Sequence, residues 1–375
     1  MDRRIAGCLV LFLFFCLLFS SCSFHTVISD ISFTELGIPS DVTYPNGIRA
    51  RSPWDMCVWD GALYVGGGDF DANTGPLPIY RLDLETNKWS ASELLPEEEF
   101  NRFSVLGDRL TVPGIDPKEG WELGNYYVLT DGVWEQKRVL PNGAHCFDIV
   151  EFDGRIYAGL GVPDTESPIV SSDDGGETFS PVGMQKDGEK VDTTGLDTVR
   201  VYDLFVLGGR LYASFLYGNE APYSYELYRF EDGVFVFDND WNGKVKRRAI
   251  SYRMICEKVE YNDRLYIATG NLYTTTDLDE MTVVTFPYSA AVFDLTVEGG
   301  RLYALCARRQ DDGLVRVSVW RKSGTGVANF VQLFNFEYPV APISFAVRDG
   351  VFYIGMSDTA NENDLNGMIL KIVYR

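Results

Sequence analysis

Histidine is the scarcest functional side chain in this chain, with two residues in 375. Two histidines leave almost nothing from which to build a His-rich zinc site or a set of His-based catalytic dyads. Basic residues are also few, because 33 Lys and Arg stand against 54 Asp and Glu, for a formal net charge of −21. Such a surface repels a nucleic-acid backbone, so we expect no nucleic-acid partner.

Paired cysteines and long apolar runs are missing as well. Cys57, Cys146, Cys256 and Cys306 lie far apart, with no CxxC pair and no zinc-site spacing, and the spacing leaves their disulfide state open. The longest apolar run, residues 5–19, is short for a membrane helix but ordinary for the core of a signal peptide. With 46% hydrophobic and 14% aromatic residues, the composition is that of a packed globular protein.

The N-terminus has the layout of an export signal. Arg3 and Arg4 precede the apolar run, which ends in the sequence FSSC at residues 19–22. This ending resembles the bacterial lipoprotein signal, in which the cysteine is diacylated and becomes the first residue of the mature protein. The resemblance implies a signal peptide over residues 1–21, a lipid anchor at Cys22 and a tether over residues 22–30. It also implies membrane attachment at the bacterial cell envelope, at the outer membrane or cell surface. The alternative is an ordinary signal peptide cut nearby, with Cys22 incidental.

A short phrase recurs seven times along the rest of the chain: a turn pair, a basic or small residue, then alternating apolar and aromatic residues. The turn pairs begin at Asp60, Gly107, Asp153, Gly208, Asn262, Gly299 and Asp349. Pairs such as Asp-Gly and Gly-Gly between alternating runs predict two-residue β-hairpins. Several units carry a second hairpin, as at Asp131-Gly132. Because four strands per unit are typical of a β-propeller blade, we predict a single all-β domain over residues 31–375. It is a seven-bladed β-propeller of four-stranded antiparallel blades.

The two ends of this domain complement each other. The last unit contains three strands and then stops at Arg375, whereas residues 31–39 resemble the outer strands of earlier units. We therefore expect the N-terminal segment to supply the fourth strand of the last blade and to close the ring without an open edge.

Two units resemble known propeller families. The first unit, with Leu63-Tyr64-Val65-Gly66-Gly67 followed by Trp89, looks like a kelch repeat. The third unit resembles the Asp-box of sialidase-like propellers, where the box is a folding element on the turn between the third and fourth strands. The matching residues are Ser172, Asp174, Gly176, Thr178 and Phe179.

An acidic position recurs in the first strand of the units. Five residues before each turn stand Asp55, Arg102, Asp148, Asp203, Glu257, Asp294 and Ser344. Because the first strands line the channel of a propeller, we interpret the first six as a ligand-binding set at the channel mouth. Carboxylates there would attract cations, calcium included. The alternative is structural: each acid accepts hydrogen bonds from the backbone of the next blade.

Long segments between the hairpins fall on one face of the predicted ring. They are residues 66–78, 113–124, 183–198, 238–252 and 356–367. Loops on a rigid scaffold concentrate binding chemistry. We therefore expect a binding or scaffold protein with a glycan, peptide or protein ligand on this face and no required cofactor. The alternative is a carbohydrate-active hydrolase or lyase that uses the channel-mouth carboxylates.

Overall fold

The structure, a computed structural model, describes residues 31–39, 48–161, 167–220, 223–239, 257–357 and 363–374. The predicted signal peptide 1–21, Cys22 and its tether lie outside these residues, as does Cys256. Cys57, Cys146 and Cys306 are free thiols. Among the described residues, no helix has the length and apolar character to cross a membrane.

Within the described residues, five antiparallel sheets have four strands each. One sheet joins the two ends of the domain through β1 (Phe33–Gly37), β28 (Pro342–Arg348), β29 (Val351–Met356) and β30 (Ile369–Val373). A second sheet contains β2 (Met56–Trp59), β3 (Ala62–Val65), β4 (Tyr80–Asp83) and β5 (Lys88–Ala91). A third contains β6 (Ser104–Leu106), β7 (Arg109–Pro113), β8 (Leu123–Thr130) and β9 (Val133–Pro141). A fourth sheet contains β20 (Glu257–Glu260), β21 (Leu265–Ala268), β22 (Leu272–Thr275) and β23 (Thr282–Val284). The fifth contains β24 (Ala291–Glu298), β25 (Arg301–Arg309), β26 (Val315–Lys322) and β27 (Phe330–Tyr338).

A larger, ten-stranded sheet holds the middle of the chain. Its strands are β10 (His145–Phe152), β11 (Arg155–Gly161), β12 (Ile169–Ser172), β13 (Ser180–Pro181), β14 (Met184–Lys186), β15 (Glu189–Lys190), β16 (Thr198–Leu207), β17 (Arg210–Gly218), β18 (Ser224–Glu231) and β19 (Val234–Phe237). It consists of two antiparallel meanders, β10–β13 and β16–β19, which meet where Gly161 pairs with Arg200, and of the hairpin β14–β15.

Residues 183–198, which we expected to be a loop, carry the hairpin β14–β15 instead. In this hairpin β14 runs parallel to β19 and covers the outer edge of its meander. An edge strand left open would present unpaired backbone groups, so this pairing satisfies them within the chain.

The tight turns explain why the strands pair as they do. In six of the seven recurring turns, all within the described residues, both central residues have positive φ; Asp60 and Gly61, for example, have φ of 43° and 72°. Two-residue hairpins of this kind match the twist of the flanking strands. In the seventh turn, Gly107 alone has positive φ, at 63°. Three short 3-10 turns, Ile48–Arg51, Phe70–Ala72 and Pro287–Ser289, lie in the connections.

The N-terminal strand β1 pairs antiparallel with β30, with Phe33 opposite Ile372. Its Phe33 ring also contacts Phe336 and Tyr338 of the neighbouring sheet, at 5.1 and 5.8 Å between ring centroids. The apolar core lies between successive sheets in this way; buried residues of β24–β27 and of β28–β30 form one cluster. Four-stranded antiparallel sheets that pack face to face in chain order make this an all-β propeller.

Asp174 organises the turn between β12 and β13. Its Oδ1 accepts hydrogen bonds from the backbone N–H groups of Glu177 and Thr178, at 3.0 Å each. Its Oδ2 accepts the Thr178 hydroxyl at 2.6 Å. Ser172 donates its hydroxyl to Asp174 Oδ1 at 2.6 Å and accepts the N–H of Gly176 at 2.9 Å. These hydrogen bonds lower the pKa of Asp174, so the carboxylate stays ionised and the turn keeps its acceptors.

The neighbouring β6–β9 sheet contacts the same turn. Tyr126 in β8 donates its hydroxyl to the carbonyl of Gly176 at 2.9 Å, and its ring meets Phe179 edge-on at 5.9 Å. Gly176 has a φ of 92°, and a Cβ there would collide with the Tyr126 hydroxyl. The turn therefore links two adjacent sheets and requires glycine at its centre.

Candidate binding site in the central channel

β-Bulges position three of the five recurring acidic residues. The register of the first strand shifts by one residue immediately before Asp148, Asp203, Asp294 and Ser344. In the first three cases the extra residue is aromatic: Phe147, Tyr202 or Phe293. A bulge re-aims the side chain that follows it. The bulge therefore sets the direction of the acidic side chain relative to the rest of the strand.

Arg102 joins two of the acids in buried ion pairs. Its guanidinium lies 2.9 Å from Oδ2 of Asp148 and 3.2 Å from Oδ1 of Asp203. Lys258 provides a second cation, with Nζ 2.5 Å from Oδ2 of Asp203. Although burial acts to lower the pKa of Arg102, the neighbouring carboxylates raise it well above its ordinary value. Two positive and two negative side chains thus neutralise one another in the middle of the predicted set.

Three of these carboxylates also accept hydrogen bonds from the backbone of the next unit along the chain. The pairs are Asp55 with the N–H of Phe103 at 2.6 Å, Asp148 with that of Leu204 at 2.8 Å, and Asp294 with that of Phe345 at 2.6 Å. Each donor is the residue directly after the position that corresponds to the acid in the next unit, five residues before the recurring turn. The second oxygen of each acid accepts the N–H of the residue after it. These hydrogen bonds are the ones that the structural alternative predicts for Asp55, Asp148 and Asp294.

A cavity of about 310 Å³ lies among these strands, between Asp55, Arg102 and Glu257. It extends towards the tight turns, where Val150 and Glu260 line it. Burial raises the pKa of Asp55 to about 7, and the charge of Glu257 adds to the effect. Burial also raises the pKa of Glu257. Because Asp55 holds a proton part of the time at neutral pH, the cavity is less negative than its carboxyl groups suggest.

The charges around the cavity bear on the expected calcium site. Asp294 is buried, and its pKa rises well above the ordinary value because of burial and of the nearby Glu257 and Asp55. In the part of the chain that the structure describes, no group of three or more His, Cys, Asp or Glu side chains is arranged to hold a metal ion. Calcium binding and the channel-mouth role stay predictions.

Lys258 was not among the predicted site residues, although the sequence carries a signal for it. In the other units, the residue directly after the recurring acidic position is apolar, as Met56 and Ile149 are. The fifth unit has Lys258 at this place. A lysine at an otherwise apolar position of a first strand needs a buried anionic partner. Asp203, from the preceding unit, is that partner.

A second acidic cluster was also missed, because a run of acids usually indicates a solvated surface. Glu97, Glu98 and Glu99 are all buried, at 0%, 7% and 1% exposure. Glu97 accepts hydrogen bonds from Asn125 Nδ2 at 2.5 Å and from the Tyr127 hydroxyl at 2.8 Å. Burial raises the pKa of Glu97 to about 8, against the opposing effect of these hydrogen bonds. The cluster also joins connecting segments, because the backbone of Glu99 forms β-bridges to Gly68 and to Ile115.

No protein-family model and no curated protein matches the chain. Among solved structures, a chain of the mitotic checkpoint complex is 11% identical with a TM-score of 0.50, over 94% of this chain and 99% of that chain. Polysaccharide lyase Uly1 is 11% identical with a TM-score of 0.47, over 89% and 91%. The β-propeller domain of the Trilobed protease from Pyrococcus furiosus is 11% identical with a TM-score of 0.46, over 85% and 92%. At this identity, likeness concerns the fold alone.

Proposed function

We propose that this chain is an extracytoplasmic binding or scaffold propeller that holds a glycan, peptide or protein ligand on its long-loop face. The internal pairing of the channel charges carries this proposal. Arg102 and Lys258 pair with Asp148 and Asp203, while Asp55 and Asp294 accept backbone hydrogen bonds. Groups that satisfy one another are poor acids, bases or nucleophiles towards a substrate. A glycan and peptide array, read beside a panel of chromogenic glycosides, should give binding without turnover.

A carbohydrate-active hydrolase or lyase is the second candidate, and one observation favours it. Asp55, with its pKa raised to about 7, lines the 310 Å³ cavity together with Glu257. A carboxyl group that holds a proton near neutral pH can act as a general acid beside a second carboxylate. Turnover of a chromogenic glycoside by the parent, abolished by Asp55→Asn, would establish this candidate and contradict the first.

Membrane attachment through Cys22 is part of the proposal. It is supported by the FSSC ending of the apolar run and by the position of β1, which begins at Phe33. The intervening chain spans at most roughly 40 Å at ~3.5 Å per residue, so the propeller would stay close to the bilayer. Cys22→Ala should move the protein from the membrane fraction to the soluble fraction. Unchanged partitioning into detergent would contradict lipidation.

A closed ring of seven blades is likewise proposed. In its support, the ten-stranded sheet divides at the Gly161–Arg200 pair into two meanders, which add to the five four-stranded sheets. The β1–β30 pairing would close the ring. Deleting residues 31–39 should lower the melting temperature or cause self-association, because it exposes the edge of β30. Deleting residues 23–30 is the matched control and should change neither property. Equal behaviour of the two deletions would contradict closure by β1.

A further inference from the structure

A groove of about 590 Å³ lies against the β24–β27 sheet, away from the channel carboxylates. One wall is the 3-10 turn Pro287–Ser289, which leads into β24. The other walls are the end of β25 and one face of β26 and β27. The side chains that matter for its chemistry are Tyr288, Arg308, Trp320, Gln332 and Asn335.

Tyr288 stands in the groove in an unfavourable backbone conformation. Its φ and ψ are 61° and 22°, in the left-handed region, and its side chain is 72% exposed. A bulky residue with positive φ is an outlier that costs conformational free energy. Burial of the ring does little to offset that cost here. An exposed aromatic ring held in this way indicates a role outside the fold itself.

A β-bulge brings two amide side chains to the same wall. The register between β26 and β27 shifts at Trp320, so Gln332 lies opposite Trp320 and Asn335 lies opposite Ser318. In a regular strand, residues 332 and 335 would face opposite sides of the sheet. The extra residue, Leu333, places both amides on the face that Trp320 occupies.

Several polar side chains of the groove are unused by the fold. Within the described part of the chain, the side chains of Arg308, Gln332 and Asn335 make no hydrogen bond or ion pair. Arg316, by contrast, is paired with Glu337 at 3.0 Å. The charges that line the groove are mixed, because Asp311 and Asp312 lie in the connection between β25, which carries Arg308, and β26, which carries Arg316. Neither a polyanion nor a polycation is favoured by such a balance.

We propose that this groove binds a neutral saccharide, with a pyranose ring on Tyr288 and its hydroxyl groups on Gln332, Asn335 and Arg308. One face of a pyranose carries C–H groups that pack on an aromatic ring, and neighbouring hydroxyls match planar donors and acceptors such as amides and guanidinium. An aromatic surface with a few convergent polar groups is typical of a small-ligand site. The assignment rests on the proposed binding function and names its ligand class and its place.

The test uses affinity gel electrophoresis of the mature protein with mannan, xylan and mixed-linkage β-glucan as probes. At least one probe should retard the parent. Tyr288→Gly and Gln332→Ala should each weaken that binding about tenfold or more, as expected for the loss of one aromatic or amide contact. Trp121→Ala is the matched control, since Trp121 is 59% exposed in a different connection, and it should leave binding unchanged.

Melting temperature separates a binding role of Tyr288 from a structural one. Glycine accepts positive φ, so Tyr288→Gly should melt at or above the temperature of the parent while it loses binding. A lower melting temperature would show that the ring stabilises the fold and would overturn the proposal. Retained binding in Tyr288→Gly with loss in Trp121→Ala would overturn the groove assignment but leave the binding function intact. If no probe retards the parent, the saccharide assignment is wrong, and the peptide spots of the array then decide the binding function independently.

Discussion

Replacing Arg102 by methionine should destabilise the protein strongly, because it leaves buried carboxylates without their partner. The side chains of Arg102, Asp148 and Asp203 are 13%, 5% and 2% exposed. Removing one partner of a buried ion pair costs about 3–5 kcal/mol of unfolding free energy. Lys258 still pairs with Asp203, so the loss falls mainly on Asp148. We therefore expect about 3 kcal/mol, at the lower end of that range.

Urea unfolding followed by tryptophan fluorescence measures this loss. Arg81→Met is the control, because the Arg81–Asp83 pair is about one-third exposed at both ends and should contribute less than about 1 kcal/mol. The double variant Arg102→Met/Asp148→Asn should recover much of the stability, since it removes the unpaired charge. The penalty should also shrink at acidic pH, where Asp148, whose pKa burial raises, takes up a proton. Equally small losses in Arg102→Met and Arg81→Met would refute the reasoning.

Two further predictions concern acids outside the channel. The folded-state pKa of Glu97, about 8, lies above its ordinary value of 4.5, so its ionisation opposes folding as the pH rises between those values. Glu97→Gln should therefore have nearly the same free energy of unfolding as the parent at pH 4 and a larger one at pH 9. Urea unfolding measures both, and a variant less stable than the parent at pH 9 would contradict this. Asp174→Ala should lower the melting temperature, because it removes the acceptor of two backbone N–H groups, whereas Asp173→Ala, at an exposed position of the same turn, should not. Equal melting temperatures would show that the turn holds its shape without Asp174.

The hairpins could be predicted from the sequence because their information is local. A pair such as Asp60-Gly61 fixes the turn, and the alternation on either side fixes which face is buried. Strand β1 was predictable for a related reason, since residues 31–39 repeat the pattern of other outer strands and one edge needed a partner. The fold class therefore required little information about contacts between distant residues.

The site was less predictable because its contacts join distant residues. The sequence identified Asp148 and Asp203 by position, but it did not indicate that Arg102 lies between them or that Lys258 pairs with Asp203. Bulges also escape a count of alternation, because a single extra residue moves every later side chain to the other face. The groove at Tyr288 depends on both effects, a backbone conformation and a register shift that no short pattern specifies.

Thermal melting in calcium and in chelator tests most directly whether the channel carboxylates hold neighbouring strands together or bind a ligand. The variants are the parent and the double variant Asp203→Asn/Asp294→Asn. A structural role predicts that the parent melts at the same temperature in both buffers. It also predicts that the variant melts lower by the same amount in each, because Phe345 loses a carboxyl acceptor and Arg102 loses a charged partner. A calcium-dependent rise in the melting temperature of the parent that the variant lacks would contradict the structural role and establish a cation site in the channel.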